Sequence, residues 1–283
     1  MARVIPTGAA SGVTGHAKRV LQPTTCRAGR ETLAIVVPVY NEVRRLPILF
    51  ATLESEADRW PRGAGLDLVE VVVVDDGSTD ETHDLLVERE RHDPRLRVIR
   101  FARNRGKGAA VHDGVLSVTS RYALVTDVDL STPLSDIAPL MAALGEGNDL
   151  AIGSRGLPSS QILTHQPQHR ELMGKCFNQL LRGLTGLPYR DTQCGFKLFR
   201  VETTRALFEL QRIDGFAFDA ELCVNARRLG LRVAEVPVEW VDNRDSRVTL
   251  VRSPTRMALD LITIARIAHR PLRSKPRADD SDN

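Results

Sequence analysis

Short apolar runs alternate with helical segments along most of this chain. Five of the runs have the length and composition of buried β-strands, and they cover residues 33–39, 68–74, 96–101, 122–125 and 149–154. Because helical segments separate most of them, the pattern predicts parallel βαβ units with right-handed crossovers. We therefore expect an α/β fold with a mostly parallel central sheet, flanked by helices, in a single domain.

The helical segments differ in how clearly their ends are marked. Residues 78–81 fit a capping box for a helix at 81–91, and a second helical pattern covers 170–184. A third helix ends at Leu229 and is expected to bury one stripe of side chains, namely Leu222, Ala226 and Leu229. The polar, proline-containing stretch at 156–167 predicts a mobile loop.

Polar or acidic residues follow three of the strands: residues 40–42, then Asp75 and Asp76, then Asp127 and Asp129. The carboxyl ends of parallel strands share one edge of a sheet, where open α/β sheets bind their ligands. Strand alternation aims Asp127 and Asp129 to the same side, and Mg²⁺ binds one or two such carboxylates together with substrate phosphates. Two solvated turn aspartates are the alternative. The coincidence of three strand ends favours a metal and diphosphate site.

A glycine-containing turn, residues 104–108, precedes an Ala/Val-rich helix. Its spacing is not that of a P-loop, and Val111 stands where a dinucleotide fingerprint has its third glycine. Two interpretations stay open at this point. The turn can simply start the helix, or Lys107 can contact a phosphate in the anion-friendly field of the helix N-terminus.

Composition narrows the class of protein. The chain has 283 residues, of which 42% are hydrophobic and 27% charged, enough for one large α/β domain with a soluble surface. A net charge of only +3 argues against a nucleic-acid partner. The four cysteines are scattered, so we expect reduced thiols in a cytoplasmic protein rather than a zinc site or a disulfide framework. No run reaches the ~18 apolar residues that span a bilayer.

The two ends of the chain differ from its middle. Residues 1–31 and 271–283 lack periodicity and are expected to be disordered tails around a folded domain at 32–250. Residues 251–270 combine an apolar helical stripe with basic side chains. Such a helix can lie on an anionic membrane surface, or it can pack on the domain with a solvated basic face.

Four motifs in the first half resemble the family 2 glycosyltransferases, which are inverting enzymes of the GT-A fold with nucleotide-sugar donors. The motifs begin with Val-Pro-Val-Tyr-Asn-Glu at 37–42 and Val-Asp-Asp-Gly-Ser-Thr-Asp at 74–80. Asn-Arg-Gly-Lys-Gly at 104–108 and Asp-Val-Asp at 127–129 complete the set. Their order and spacing extend the resemblance over about residues 32–250, and imply a Rossmann-like GT-A domain.

The second half resembles the polyprenyl-phosphate hexose synthases. The motifs that carry this are Gly-Ser-Arg at 153–155, Arg-Asp-Thr-Gln-Cys-Gly-Phe-Lys at 190–197 and Phe-Asp-Ala-Glu-Leu at 218–222. The stretch 190–197 together with Asp-Val-Asp-Leu-Ser-Thr-Pro at 127–133 is most similar to the dolichyl-phosphate glucose synthase branch, as is Val-Glu-Trp at 238–240 followed by Asp-Ser-Arg at 245–247. The resemblance implies transfer of glucose from UDP-glucose to a polyprenyl phosphate. Mannose transfer from GDP-mannose and a soluble acceptor are the alternatives. The exact sugar, lipid length, metal and oligomeric state stay open.

Site roles follow from the resemblance. Donor contacts are implied for Pro38, Tyr40, Glu42, Asp76, Lys107 and Asp127. Mg²⁺ or Mn²⁺ is expected at Asp127 and Asp129, and the catalytic set is Asp127, Asp129, Arg155 and Arg170. Acceptor phosphate contacts are implied for Ser154, Arg155, Arg170, Lys197 and Arg247. Relatives often carry a small hydroxyl residue where this chain has Gly174, which leaves one phosphate contact in doubt.

A phosphate acceptor changes the chemistry that the protein must supply. Its second pKa is ~6, so it is already ionised near neutral pH and needs no obligatory general base. Arginine forks suit such an anion. Two interpretations of Asp219 and Glu221 stay open: they are favourable acidic residues at a helix N-terminus, or one of them is the general base for a soluble acceptor. A lipid acceptor would place the enzyme at the cytoplasmic, inner face of a membrane.

Overall fold

The computed structural model describes residues 30–56, 64–164, 168–242 and 254–270. Its strands are β1 (Glu31–Val39), β2 (Leu66–Asp75), β3 (Leu96–Arg100), β4 (Tyr122–Val125), β5 (Leu150–Ser154), β6 (Gln161–Thr164), β7 (Lys197–Arg200), β8 (Val233–Pro237) and β9 (Glu239–Val241). Its helices are α1 (Leu46–Glu56), α2 (Thr82–His92), α3 (Lys107–Ser117), α4 (Ile137–Gly145), α5 (Gln168–Thr185), α6 (Val201–Glu209), α7 (Phe218–Arg228) and α8 (Pro254–His269). The predicted tails lie outside the described ranges, apart from residues 30 and 31. The segment 243–253, which contains the predicted site residue Arg247, also lies outside them.

The central sheet confirms the predicted α/β class. Among the described residues it has seven strands in the order β3-β2-β1-β4-β7-β5-β8. Neighbouring strands are parallel except at β7, which runs antiparallel to both β4 and β5. The antiparallel insertion was not predicted. It brings the residues just before Lys197 to the carboxyl end of β4, since Lys197 pairs with Val125.

Alternate residues of the strands enter two apolar layers, one on each face of the sheet. Ala34 and Val36 of β1 belong to the layer that contains α3 and α7, whereas Ile35 and Val37 belong to the layer that contains α1 and α4. All four are fully buried. Burial of each Val or Ile side chain contributes roughly 1.5–3 kcal/mol. The sheet is therefore a rigid platform for the loops at its carboxyl edge.

Two local predictions were wrong, and a third was too narrow. The capping box predicted for helix α2 does not form: the Ser78 hydroxyl instead accepts the backbone N–H of Asn41 at 2.9 Å, and Asp80 accepts the N–H of Thr82. The expected loop at 156–167 contains β6, which pairs with β9 in a separate two-stranded sheet. The predicted buried stripe of α7 is too narrow: Leu222 and Ala226 are fully buried and Leu229 partly, but every residue from Phe218 to Ala226 is also buried.

Helix α8 packs on the domain through part of its apolar surface. Ile264 and Ile267 are buried in the same layer as α7, while Leu259 and Ile262 remain exposed. Within the described ranges, no helix has the length and apolar character required to cross a membrane.

Candidate functional site

Asp127 and Asp129 follow β4 at the carboxyl edge of the parallel strands. The backbone turns sharply after them, with Leu130 in the left-handed region at φ 48° and its N–H donating to the Asp127 carbonyl at 3.1 Å. One Asp129 oxygen accepts the N–H of Ser131 at 3.1 Å. The Asp127 side chain is 40% exposed, so it faces the open edge of the sheet.

Asp76, which was predicted to contact the base, binds the backbone of the glycine-containing turn. Its two carboxylate oxygens accept the backbone N–H groups of Arg105 at 2.6 Å and Gly106 at 2.8 Å. Burial raises the pKa of Asp76, and these hydrogen bonds oppose the rise. The acidic end of β2 therefore fixes the loop that leads into α3.

The N-terminus of α3 does not offer its backbone amides to a phosphate. The N–H groups of Gly108 and Ala109 both donate to the carbonyl oxygen of Asp214, at 2.8 and 3.3 Å. A Cβ on Gly106 would come within 2.4 Å of that oxygen, and Gly106 has a φ of 117°. Glycine is thus required by close packing of two loops, and the amides of Gly108 and Ala109 are not available to an anion.

Lys107 forms an ion pair with Asp127, with 2.6 Å between Nζ and Oδ1. Burial alone would lower the pKa of Lys107, but the negative charges of Asp127 and Asp219 outweigh it and raise the pKa. Burial would raise the pKa of Asp127, and the charge of Lys107 outweighs that effect and lowers it. At Asp129, burial and the charge of Asp127 both raise the pKa. The three side chains form one electrostatic unit.

The loop after β1 is held in an unusual conformation. Asn41 has a φ of 56°, and its side-chain oxygen accepts the N–H of Thr79 at 2.8 Å. The N–H of Glu42 donates to Thr82 at 2.7 Å. This bracing places the predicted donor residues Tyr40, 43% exposed, and Glu42 at the same edge as Asp76.

Arg155 lies in a bidentate ion pair with Asp191. Its Nε donates to Oδ2 at 2.6 Å and its Nη2 to Oδ1 at 3.1 Å, and the guanidinium lies 5.5 Å from the centre of the Trp240 ring. Burial would raise the pKa of Asp191, but the charge and hydrogen bonds of Arg155 lower it to about 2. The second amino group of Arg155, Nη1, has no hydrogen bond to any described residue.

Two predicted acceptor residues point away from open solvent. Lys197 is 1% exposed, and its ammonium donates to the Cys194 carbonyl and to Asp219 at 2.5 Å. Ser154 is fully buried, and its hydroxyl accepts the N–H of Gly156 at 3.2 Å. Lys197 thus supports the core under the site, because strand β7 turns this side chain inward.

Asp219 and Glu221 both have structural partners. Asp219 is 3% exposed and neutralised by Lys197, whereas the Glu221 carboxylate accepts the N–H groups of Arg212 and Ile213. Both side chains lie in the buried first turn of α7. Neither faces the open edge of the sheet as a free base.

Of the other two predicted arginines, only the backbone position of Arg170 is described. Arg170 lies in the first turn of α5, and Arg247 lies outside the described residues. At Gly174, where relatives often carry a hydroxyl, no atom of the described residues lies within 4 Å of the position of a Cβ. The sequence did not indicate a site role for Gly195 or Asp214. Both contact site residues through their backbone atoms, and such contacts leave no motif in the sequence.

Two carboxylates fit a divalent cation without completing its coordination. Asp127 and Asp129 supply the hard oxygen ligands that Mg²⁺ and Mn²⁺ favour. Within the described ranges, no cluster of three or more His, Cys, Asp or Glu side chains could hold a metal by itself. A cation held by these two carboxylates would therefore need further oxygen ligands, which Mg²⁺ commonly takes from substrate phosphates and water.

Known sequences resemble this chain over most of its length. Residues 34–208 match the family described as glycosyl transferase family 2. Dolichyl-phosphate beta-glucosyltransferase of Dictyostelium discoideum is 34% identical over 243 residues, covering 82% of this chain and 73% of the relative. The Homo sapiens protein of the same description is 32% identical over 250 residues, covering 86% and 77%.

Solved structures share the fold at lower identity. Glucosyl-3-phosphoglycerate synthase from Mycobacterium tuberculosis, in complex with Mn²⁺, UDP-glucose and phosphoglyceric acid, has a TM-score of 0.61 at 20% identity. That comparison covers 83% of this chain and 80% of the other. Mannosyltransferase PcManGT from Pyrobaculum calidifontis, in complex with GDP-Man and Mn²⁺, has a TM-score of 0.50 at 18% identity, covering 82% and 62%.

Proposed function

The chain belongs to glycosyl transferase family 2, and we propose that it transfers glucose from UDP-glucose to a polyprenyl phosphate with inversion at the anomeric carbon. The observation that carries this proposal is the 34% identity, over 82% of the chain, to a dolichyl-phosphate beta-glucosyltransferase. The partly exposed carboxylates of Asp127 and Asp129, at the carboxyl edge of the sheet, supply the metal-binding chemistry that this function requires.

The donor lies along the carboxyl edge of β1, β2 and β4. Pro38, Tyr40 and Glu42 contact the base and ribose, while Asp76 fixes the adjacent turn and keeps lone pairs free for the base edge. Lys107 meets the diphosphate through its ammonium only, because the amides that follow it already donate to Asp214. The ends of these strands thus contact different parts of the nucleotide.

Asp127 and Asp129 would hold Mg²⁺ or Mn²⁺. When bound, such an ion acts as a Lewis acid that neutralises charge on the leaving diphosphate. The chain's own contribution is to hold the two carboxylates at fixed positions: the Ser131 N–H binds Asp129, and the Gly195 backbone lies against Asp127.

The acceptor side relies on positioning rather than on proton removal. A polyprenyl phosphate arrives as an anion near neutral pH, and Asp219 and Glu221 are both occupied by structural partners. Asp191 binds the Nε and Nη2 groups of Arg155, and the Nη1 group points to a contact with one phosphate oxygen. Arg170, in the first turn of α5, is the second proposed phosphate contact.

The protein meets the membrane through α8 and the neighbouring helix α5. Exposed apolar side chains on both helices form what we call the α5–α8 surface: Leu172, Met173, Leu180, Leu184, Leu259 and Ile262. The two helices end side by side, with His269 Nε2 lying 3.0 Å from the carbonyl oxygen of Leu184. Exposed Arg182, Arg266 and Arg270 add positive charge that favours the anionic cytoplasmic leaflet.

A donor screen tests the proposed function. Purified protein is incubated with UDP-glucose or GDP-mannose, a short polyprenyl phosphate and Mg²⁺ or Mn²⁺, and glycolipid formation is followed by mass spectrometry. We expect glucosyl lipid from UDP-glucose in the presence of metal. Preferred use of GDP-mannose would reject the donor, and transfer to a soluble sugar but not to the lipid phosphate would reject the acceptor.

A further inference from the structure

The ion pair between Lys107 and Asp127 joins two segments that meet only in the folded chain. Lys107 is the first residue of α3, and Asp127 follows β4. The Lys107 side chain is 14% exposed, with its ammonium 6.0 Å from the centre of the Phe216 ring and 2.6 Å from Asp127 Oδ1. The pair therefore has a defined geometry, yet it borders the open edge where the donor enters.

The ammonium competes with a metal ion for the same carboxylate. Mg²⁺ binds a carboxylate oxygen at about 2.0–2.1 Å, and Lys107 Nζ already lies 2.6 Å from Asp127 Oδ1. Two cations close to one carboxylate repel each other, so the ammonium has to move away from Asp127. Two other carboxylates have charges that act on Lys107: Asp219 is paired with Lys197, and Asp129 is the second proposed ligand of the same cation.

We propose that Lys107 is the counter-ion of Asp127 in the donor-free protein and that it must leave Asp127 before a divalent cation binds there. The leaving ammonium needs a new anion, and a nucleotide diphosphate arriving with the cation supplies one. Metal and nucleotide therefore bind as a coupled pair, each weak without the other. This inference rests on the proposed function in one respect, since it takes the donor to be a nucleoside diphosphate sugar.

Direct metal binding tests the coupling without turnover. Mn²⁺ affinity is measured by electron paramagnetic resonance of free Mn²⁺, with and without UDP, for the wild type and for Lys107→Gln. We expect UDP to tighten Mn²⁺ binding to the wild type. Lys107→Gln should bind Mn²⁺ alone about fivefold more tightly than the wild type, the factor that matches loss of one competing ion pair of ordinary strength, and UDP should tighten its binding less.

Arg105→Gln is the matched control. It removes a positive charge two residues away whose side chain pairs with Asp113 at 3.0 Å and not with Asp127, so its Mn²⁺ affinity should equal that of the wild type. Unchanged Mn²⁺ affinity in Lys107→Gln, with normal binding in the presence of UDP, overturns the counter-ion role while leaving the proposed function intact. Absence of Mn²⁺ binding in every variant even with UDP overturns both this inference and the metal site.

Discussion

Gly195 lies directly against the carboxylate of Asp127. A Cβ built on Gly195 would come within 2.2 Å of Asp127 Oδ2 and 2.8 Å of its Cγ, closer than real Cβ contacts occur. The contact exists because β7 enters the sheet antiparallel beside β4 and delivers the loop before Lys197 to the end of that strand. Backbone from the second half of the chain thus sets the position of the first acidic residue of the site.

Replacing Gly195 with alanine should therefore displace Asp127. We expect Gly195→Ala to lower glucosyl transfer at least about tenfold, because a shift of a reacting group by about 1 Å is enough for such a loss. UDP binding by calorimetry and turnover with UDP-glucose measure the effect. Gly145→Ala is the control, since no atom of the described part of the chain lies within 4 Å of the Cβ position there; equal activity of the two variants would contradict the packing argument.

The two carboxylates after β4 should be individually required. Asp127→Asn and Asp129→Asn each remove a charged oxygen from the proposed metal site, and we expect turnover to fall at least about a hundredfold. Initial rates across a Mn²⁺ titration measure this loss. Asp113→Asn, which changes an acid on α3 paired with Arg105, serves as the control. Near-normal, metal-dependent rates in both site variants would remove the assignment.

The pair between Asp191 and Arg155 should stabilise the fold above acidic pH. Its depressed pKa of about 2, against an ordinary value of about 3.9, corresponds to about 2–3 kcal/mol of unfolding free energy. A depressed carboxyl pKa gives stability that is present above the unfolded value and lost as pH falls through the folded one. The difference between wild type and Asp191→Asn should thus be constant above about pH 5 and shrink between about pH 4 and 2.

Urea unfolding at several pH values measures this difference. Asp191→Asn should also raise the KM for the lipid phosphate more than it lowers kcat, because Asp191 positions Arg155 rather than touching the reacting atoms. Asp84→Asn on α2 is a control for loss of a single acid away from Arg155. A pH-independent stability difference would show that Asp191 acts by packing alone.

Membrane binding should depend on the exposed side of α8. The double change Leu259→Glu and Ile262→Glu alters two exposed residues of the α5–α8 surface while leaving the buried Ile264 and Ile267 in place. We expect cosedimentation with anionic vesicles to be lost and turnover with a soluble short-chain acceptor to be retained. Ile48→Glu, an equally exposed change on α1, should keep vesicle binding; equal binding by all three proteins would reject the surface.

The antiparallel strand explains why some site residues could not be predicted. Strand β7 is the short segment Lys-Leu-Phe-Arg, and nothing in its pattern indicates that it enters between β4 and β5 in the opposite direction. That direction turns the Lys197 side chain into the core, where it forms an ion pair with Asp219. Side-chain direction depends on register, and register depends on contacts between distant segments.

The sequence by itself determined the sheet class and the acidic strand ends. Apolar runs and helical periodicity express burial, which is a local property, so β1 to β4 and the edge position of Asp127 and Asp129 followed from the pattern. Only the tertiary structure decided which groups meet: Lys107 with Asp127, Arg155 with Asp191, and Gly195 with Asp127. The physical reason is that ion pairs and backbone contacts depend on distances of a few ångströms between segments far apart in the chain.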